Sequence, residues 1–327
     1  MSKKIFIAWE RYNRRSELLA QHFGAAIIFI YWGRAGQLSQ ALKRYLVQSW
    51  QTWRILRQEK PSVIFVQNPP IFAVLVVSFY ALCFGAQFVI DSHTGAFIDP
   101  KWSWSVGLHR MLSRRALITL VHNNSQEKIV REWGCRYMVL AFTPGEYPVG
   151  EKFPLSGEFN VAVIGSILAD EPLDVVFEAA GRIPDISFYV TGDSKRIDSH
   201  ILAKITANCH LTGYVTYEKY VGLLRGVDLI MTLIDRNHTL LMGGFEAISL
   251  EKPLIVSDWP ILRDYFSQGT VFVSNTVDEI CEGVYKVRQN RAALQQEMSW
   301  LHKQLNEKWE GQFSELQGLI NENTRDD

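Results

Sequence analysis

The apolar positions of the 327-residue chain fall into short continuous runs separated by longer amphipathic stretches. In the first half the runs are KIFIAW, AAIIFIY, SVIFVQN, QFVIDS, LITLVHN and YMVLAF. In the second they are NVAVIG, ISFYVTGD, CHLTGYV, DLIMTLI, PLIVSD and TVFVSN. These are not the alternating patterns of half-exposed strands, so each reads as a parallel strand buried on both faces. Helical periodicity fills the gaps, at 16–23, 38–58, 126–133, 172–181 and 217–226, with a charge-rich helical tail over 277–320. Strand alternating with helix predicts an α/β chain built on doubly wound parallel sheets.

The alternation is interrupted once, by TPGEYPVGEKFPLSGE at 143–158, which carries three prolines and three glycines. We read it as an interdomain linker. The expected organisation is an N-terminal Rossmann-like domain over 1–150, a second over 151–300, and a helical tail over 301–327 that packs back toward the first. Two such domains imply a deep cleft, with ligands held just beyond the carboxyl ends of strands. The apolar stretch IFAVLVVSFYALCFGAQFVI is about as long as a membrane span. Gly85 and Gln87 split it, and NPP before it marks a helix start, so a buried helix followed by a buried strand is expected. The opening MSKKIFIAWERYNRR has too short an apolar run for a signal peptide.

Composition narrows the class. The chain is 47% hydrophobic and 21% charged, ordinary for a soluble globular protein. Its four cysteines are scattered with no CxxC pair, which points to reduced thiols in a cytosolic protein and no zinc site. Neither half places GxGxxG after its first strand, and there is no GxxxxGK[ST], which disfavours a dinucleotide oxidoreductase and a P-loop NTPase. Net charge is zero, yet residues 1–150 hold 18 Lys and Arg against 8 Asp and Glu, and the remainder 16 against 26. The basic half mixes cations with tryptophans in KRYLVQSWQTWRILRQ (Trp50, Trp53) and KWSWSVGLHRMLSRR (Trp102, Trp104). That mixture suits an anionic membrane surface, and no nucleic-acid motif accompanies it. Burial of these tryptophans in the core is the competing reading. The expected location is cytoplasmic, with peripheral association at the inner face of the membrane.

Candidate chemistry lies after the strands. Gly165 and Ser166 close NVAVIG, where a ligand can approach backbone closely; a tight turn would need the same residues. Gly192 closes another strand and is followed by Lys195 and Arg196, either phosphate ligands or a solvated pair. TGYV, with Tyr214, forms a loop whose backbone can pack on a nucleobase. Arg236 and His238 precede Gly243 and Gly244, which we place before a helix start able to meet a phosphate. Glu246 is then expected in the first turn, as a dipole partner or as a carboxylate taking two hydroxyls of a sugar.

FEAISLEKPLIVSD resembles the LEAMAxGxPVIASD signature of GT-B glycosyltransferases of family 4 and its relatives. The match covers Glu246, Pro253, Ile255 and Asp258. The order of strand–Gly, strand–TG, a GYV loop and GVDLIMTLI agrees over about 160–275. The resemblance implies two Rossmann-like GT-B domains and a nucleoside-diphosphate sugar as donor, with Glu246 on its ribose, no cofactor and no required metal. Three positions depart from the family. His238 stands where a Glu contacts the donor sugar, GSILADEP replaces the Gly-Arg and Lys that grip the diphosphate, and Glu251 replaces a Gly. Donor-site cations then have to come from Lys195, Arg196 or Arg236, with His238 as a hydrogen-bond donor or a bystander.

The first half resembles the family in architecture. The segment from FVQNPP to DSHTGAF is similar to the QNPP…DWHN region of dolichol-linked β-mannosyltransferases. That likeness implies Asp91 as general base to an acceptor hydroxyl and His93 as its orienting partner; a turn cap and a merely polar histidine are the alternatives. The loop with Glu10, Arg11, Arg14 and Arg15 is expected to face the acceptor, a glycan or lipid-linked saccharide, and its arginines can hold a phosphate. The implied activity is glycosyl transfer. A non-catalytic subunit that binds a glycan or a partner, and a nucleotide-sugar epimerase, are the other classes consistent with the departures.

Overall fold

The computed structural model describes residues 3–33 and 41–322. The chain divides into two compact units, the first reaching Pro144 and resuming at Lys308, the second covering Gly145–Glu307. Unit 1 runs β1 (Lys4–Ala8), α1 (Arg14–Phe23), β2 (Ala26–Phe29), α2 (Ala41–Glu59), β3 (Val63–Asn68), α3 (Ile71–Phe84), β4 (Gln87–Ser92), α4 (Gly95–Ile98), α5 (Val106–Ser113), β5 (Ile118–Val121), α6 (Asn124–Glu132) and β6 (Tyr137–Val139). Its sheet has the order β2-β1-β3-β4-β5-β6. Unit 2 runs β7 (Asn160–Val163), α7 (Leu173–Arg182), β8 (Ser187–Thr191), α8 (Ser199–Leu202), β9 (Cys209–Gly213), α9 (Tyr217–Gly226), β10 (Leu229–Thr232), α10 (Met242–Ser249), β11 (Leu254–Ser257), α11 (Pro260–Tyr265), β12 (Thr270–Val273) and α12 (Val277–Glu322). Its sheet has the order β12-β11-β10-β7-β8-β9.

Every strand pair is parallel. All twelve apolar runs form strands, and β3, β5, β7, β8, β10 and β11 are buried throughout, as two-sided coverage by helices requires. Strand order reverses between β1 and β3 in unit 1 and between β7 and β10 in unit 2. Loops on either side of such a reversal diverge and leave a crevice at the carboxyl ends of the strands.

Local sequence sets the helix ends. Asn13 caps α1 by accepting from Ser16 N–H, and Gly24 ends it at φ 61°. Thr216 caps α9 in the same way through Lys219 N–H. The expected helix over 38–58 begins within the described residues at Ala41; positions 38–40 lie outside them. The Pro/Gly-rich segment after Pro144 is packed onto α9. Glu151 N–H donates to Glu218 O, and a Cβ on Gly222 would stand 1.6 Å from Glu151 O. The long α12 bends at Asn290 (φ −112°) and passes from unit 2 into unit 1 at Lys308, where Trp309 and Phe313 stack beside His22 and Phe23.

The expected buried helix after NPP is α3, and it is buried on one side only. Ile71, Val74, Val77 and Tyr80 enter the core, whereas Leu75, Phe79, Leu82 and Phe84 face solvent. The sequence is apolar all round the helix, so its pattern carries no sign of which side meets the sheet. No helix among the described residues is long and apolar enough to cross a membrane. The cysteines are free thiols.

Candidate functional site

A pocket of about 410 Å³ opens at the strand-order reversal of unit 2. Its floor is Ile164, Gly165 and Ser166 after β7 and Thr232 at the end of β10. Thr191 and Gly192 after β8, Gly213–Val215 after β9, and Leu240–Gly243 with Glu246 of α10 form its walls. Tyr220 of α9 completes it. Its hydroxyl donates to Glu246 Oε2 at 2.6 Å, which fixes the carboxylate against the pocket wall. Burial, with Glu246 alongside, pushes the Tyr220 phenol well above its ordinary value, so it remains a donor. Glu246 itself is buried. It lies in the second turn of α10, because the helix begins at Met242 and not after the glycines.

The two glycines therefore serve a different purpose from the expected one. They sit inside the first turn, and each is a point of close packing. A Cβ on Gly243 would meet Ile164 Cβ at 3.0 Å, and one on Gly244 would meet Phe266 Cζ at 2.4 Å. Their smallness lets α10 press onto β7 and α11, and that brings the helix start to the pocket rim. Gly243 lines the pocket; Gly244 faces the core. No side chain caps α10, and the N–H groups of Met242 and Gly243 have no acceptor among the described residues. Unpaired first-turn amides at a pocket rim attract anions.

The loop after β7 holds the feature least expected from the sequence. The N–H groups of Ser166, Ile167 and Leu168 converge on one carboxylate, Glu171, at 2.9, 2.8 and 3.3 Å. Ile167 adopts φ 55°, which turns successive amides toward one point. These three converging amides form an anion cradle, which the chain fills with its own carboxylate at the pocket wall.

The proposed cations are elsewhere. Arg236 pairs with Asp170 at 2.8 Å, and Arg196 reaches Asp193 and Ser166 O. Neither they nor Lys195 line the pocket. His238 is also outside it, in an exposed loop at φ 68° with its N–H turned onto Asn237 Oδ1. Tyr214, 79% exposed, stands at the mouth. Glu251 adopts φ 53°, a conformation glycine takes without strain. Asp258 pairs with Arg263. Of the predicted donor residues, then, Gly165, Ser166, Gly192, Tyr214, Gly243 and Glu246 converge. Lys195, Arg196, Arg236 and His238 do not, and Gly244 belongs to the packing beneath.

In unit 1 the carboxyl ends of β4 and β5 and the start of α1 build a charged cluster. Asp91, with no accessible surface, receives Arg15 Nε and Nη2 at 3.1–3.2 Å, His93 Nε2 at 3.0 Å and His122 Nε2 at 3.3 Å. Arg15 spends its remaining donors on Leu140 O and Ala141 O. Burial alone would raise the Asp91 carboxyl; Arg15 first, then His93 and His122, outweigh it and hold it well below the usual range. Burial, reinforced by Arg15, lowers His122 to about 3, so this imidazole is neutral. Asp91, His93 and His122 bring ligand atoms within 4.8 Å of one another. Arg15 nonetheless engages both Asp91 oxygens, so this donor set fits an ion pair better than a divalent cation.

Asp91 is thus too enclosed to take a proton from an acceptor, contrary to its expected role. His93 is the most accessible member, with 20% of its side chain exposed against 13% for His122, and its Nδ1 has no hydrogen-bond partner among the described residues. Arg15 is likewise locked in the cluster and is no acceptor ligand. Arg14 pairs with Glu17, and Arg11 stacks on Tyr31 at 4.5 Å. Glu10 lines a second pocket of about 270 Å³ at the strand-order reversal of unit 1, together with Trp9, Tyr31, Arg44, Lys101 and Trp102. Gln67 Nε2 donates to Glu10 at 2.7 Å.

Sequence reasoning did not single out His122, Glu171 or Tyr220. His122 stands 31 residues from Asp91 and Tyr220 stands 26 from Glu246, and no short motif links either pair. Glu171 did carry a local signal, lying three to five residues beyond the amides it accepts from.

No protein-family model matches the chain, and no curated protein matches it. Solved structures do. Sucrose-phosphate synthase from Thermosynechococcus elongatus superposes with a TM-score of 0.73 at 10% identity, covering 100% of both chains. Anabaena Alr3699/HepE, in complex with UDP and glucose, superposes at 0.69 and 10% identity, over 96% of this chain and 100% of that one. A glycosyltransferase from Rickettsia africae gives 0.71 at 10% identity over 100% of both. The chain shares their fold, two Rossmann-like domains of the GT-B class.

Proposed function

We propose that the chain is a glycosyltransferase whose donor, a nucleoside-diphosphate sugar, occupies the unit 2 pocket. The observation that carries this reading is the convergence there of Glu246, the unpaired amides of Met242 and Gly243, and the three-amide cradle at 166–168. A nucleoside diphosphate presents the complementary groups: a ribose diol for a carboxylate and phosphate oxygens for backbone N–H donors. Structures of the same fold contain UDP and UDP-glucose, which favours a uridine nucleotide.

In this reading the nucleobase packs along Gly213–Val215, and Glu246, oriented by Tyr220, takes the ribose hydroxyls. The diphosphate lies between the start of α10 and the 166–168 loop. A phosphate and the Glu171 carboxylate compete for the same three amides, so donor entry displaces Glu171. Helix and loop amides supply the stabilisation of the leaving diphosphate, and no bound metal is required. The acceptor is a glycan or lipid-linked saccharide held by unit 1, beside Glu10, Arg44 and Lys101. Transfer forms the bond from its hydroxyl oxygen to the anomeric carbon as the bond from that carbon to the diphosphate breaks, and within unit 1 His93 Nδ1 is the atom suited to take the hydroxyl proton. Asp91 keeps Nε2–H of His93 engaged, so that Nδ1 is the accepting nitrogen, and stabilises the imidazolium that results.

The test is turnover over a panel of nucleotide sugars with candidate acceptors, with and without EDTA, alongside nucleotide-induced thermal shifts. Release of the nucleoside diphosphate insensitive to EDTA is expected. Absence of both turnover and thermal shift would contradict the reading. A thermal shift without turnover would indicate a binding subunit, and an epimerised donor without acceptor an epimerase.

A further inference from the structure

The outer faces of α2 and α3 carry an apolar surface that the donor and acceptor sites do not use. On α2, Leu42, Leu46 and Trp50 are spaced four apart and point outward together, and Arg54 continues the row. On α3, Leu75, Phe79, Leu82 and Phe84 are the outward positions. These side chains are between 40% and 77% exposed. The two rows adjoin, because Trp53 of α2 packs against Phe79 and Phe84 of α3 at 5.5 and 6.1 Å. Trp104, also exposed, extends the surface through Phe72 at 5.8 Å. Contiguous apolar patches of this kind are uncommon on monomeric proteins and mark an interaction surface.

The charges around the patch identify the partner. Arg54 lies over Trp50 at 5.2 Å and Arg57 over Phe84 at 4.6 Å, with the exposed Lys43 at the start of α2. Between Ala41 and Ser92 the sequence has only two carboxylates, Glu59 and Asp91. Glu59 is paired with Lys3, and Asp91 is enclosed in the cluster described above. The helices α2 and α3 therefore offer leucines, aromatic rings and cations, and their one carboxylate, Glu59, is paired. A second copy docked face to face would set these arginines against their own equivalents, an arrangement that repels. An anionic bilayer satisfies both halves: acyl chains take the leucines and phenylalanines, headgroup phosphates take the cations, and tryptophan sits at the boundary. At 14 residues α3 is too short to span, so it would lie in the interface plane.

We propose that the α2–α3 face docks the protein on an anionic membrane, a property independent of the donor reading. The test is co-sedimentation of the full chain with phosphatidylglycerol–phosphatidylcholine vesicles and with phosphatidylcholine vesicles, at low and high salt. Binding is expected to the anionic vesicles only and to weaken with salt. Trp50→Ser with Leu46→Ser, and separately Arg54→Glu with Arg57→Glu, should each reduce it by about tenfold or more. Trp300→Ser, at an exposed tryptophan of unit 2, should leave it unchanged. All three variants alter surface positions, and unchanged melting curves verify their folding. Three results would overturn the proposal: no binding to anionic vesicles, equal binding by the α2–α3 variants, or self-association or oligonucleotide binding that these substitutions abolish while vesicle binding is absent.

Discussion

The two units share one architecture and treat the ends of their strands in opposite ways. In unit 1, the carboxyl ends of β4 and β5 are closed by side chains that satisfy one another: Asp91, Arg15, His93 and His122 form an electrostatic knot around a fully buried carboxylate, with His93 its most accessible member. In unit 2, the corresponding region is open, and its polar groups are mainly backbone amides with a single buried carboxylate, Glu246. Fixed side-chain charge suits proton transfer at a defined atom. Backbone amides around a cavity suit an anion that arrives and leaves. Glu171 is the exception that sharpens the contrast, since in unit 2 the internal charge sits on three converging backbone amides.

The largest effect should come from breaking the knot. Arg15→Ala leaves Asp91 buried without its principal cation, and a loss of about 3–5 kcal/mol in denaturant-induced unfolding is expected. A loss under about 1 kcal/mol would mean that water reaches Asp91 and that the cluster is no closed ion pair. Next in size is Glu171→Gln in unit 2. The amide is a weaker acceptor for three N–H donors and does not repel phosphate, so UDP affinity by calorimetry should rise about tenfold. Unchanged or weaker affinity would show that the cradle is a structural turn. A further effect separates the units by pH. His122 and His109 are held to about 3 by burial, against an ordinary 6.5, so unfolding takes up protons in that window. Their contribution is fully present above pH 6.5 and is lost as pH falls toward 3. Melting temperature should therefore decline below pH 6.5, and His122→Asn should flatten the decline. An unaltered slope in that variant would place the protons elsewhere.

How much of this was legible in the sequence follows from the range of the interactions. Every continuous apolar run became a parallel strand, but two-sided burial holds only inside the sheets: β2, β6, β9 and β12 are edge strands and are partly buried. Glu246 was placed in the pocket by a local motif, though one helical turn too early, because Gly243 and Gly244 read as a loop where they are packing positions inside the helix. Long-range partnerships left no such mark. Arg15 and Asp91 are 76 positions apart, and nothing near Asp91 announces that it will be enclosed. The cations Lys195, Arg196 and Arg236 follow strands as phosphate ligands do, yet Arg236 and Arg196 found nearer carboxylates in Asp170 and Asp193. For α3, uniform apolarity concealed the exposed side, which only packing against α2 and the sheet decides.

Titration of UDP into the wild-type chain, into Glu171→Gln and into Glu246→Gln tests the central claim most directly. Gln keeps an acceptor for Tyr220 but presents a neutral amide to the ribose, so folding should be retained. The account predicts saturable binding at one site, tighter for Glu171→Gln and about tenfold weaker for Glu246→Gln. Absence of binding by both the wild type and Glu171→Gln, or binding indifferent to the change at Glu246, would contradict it.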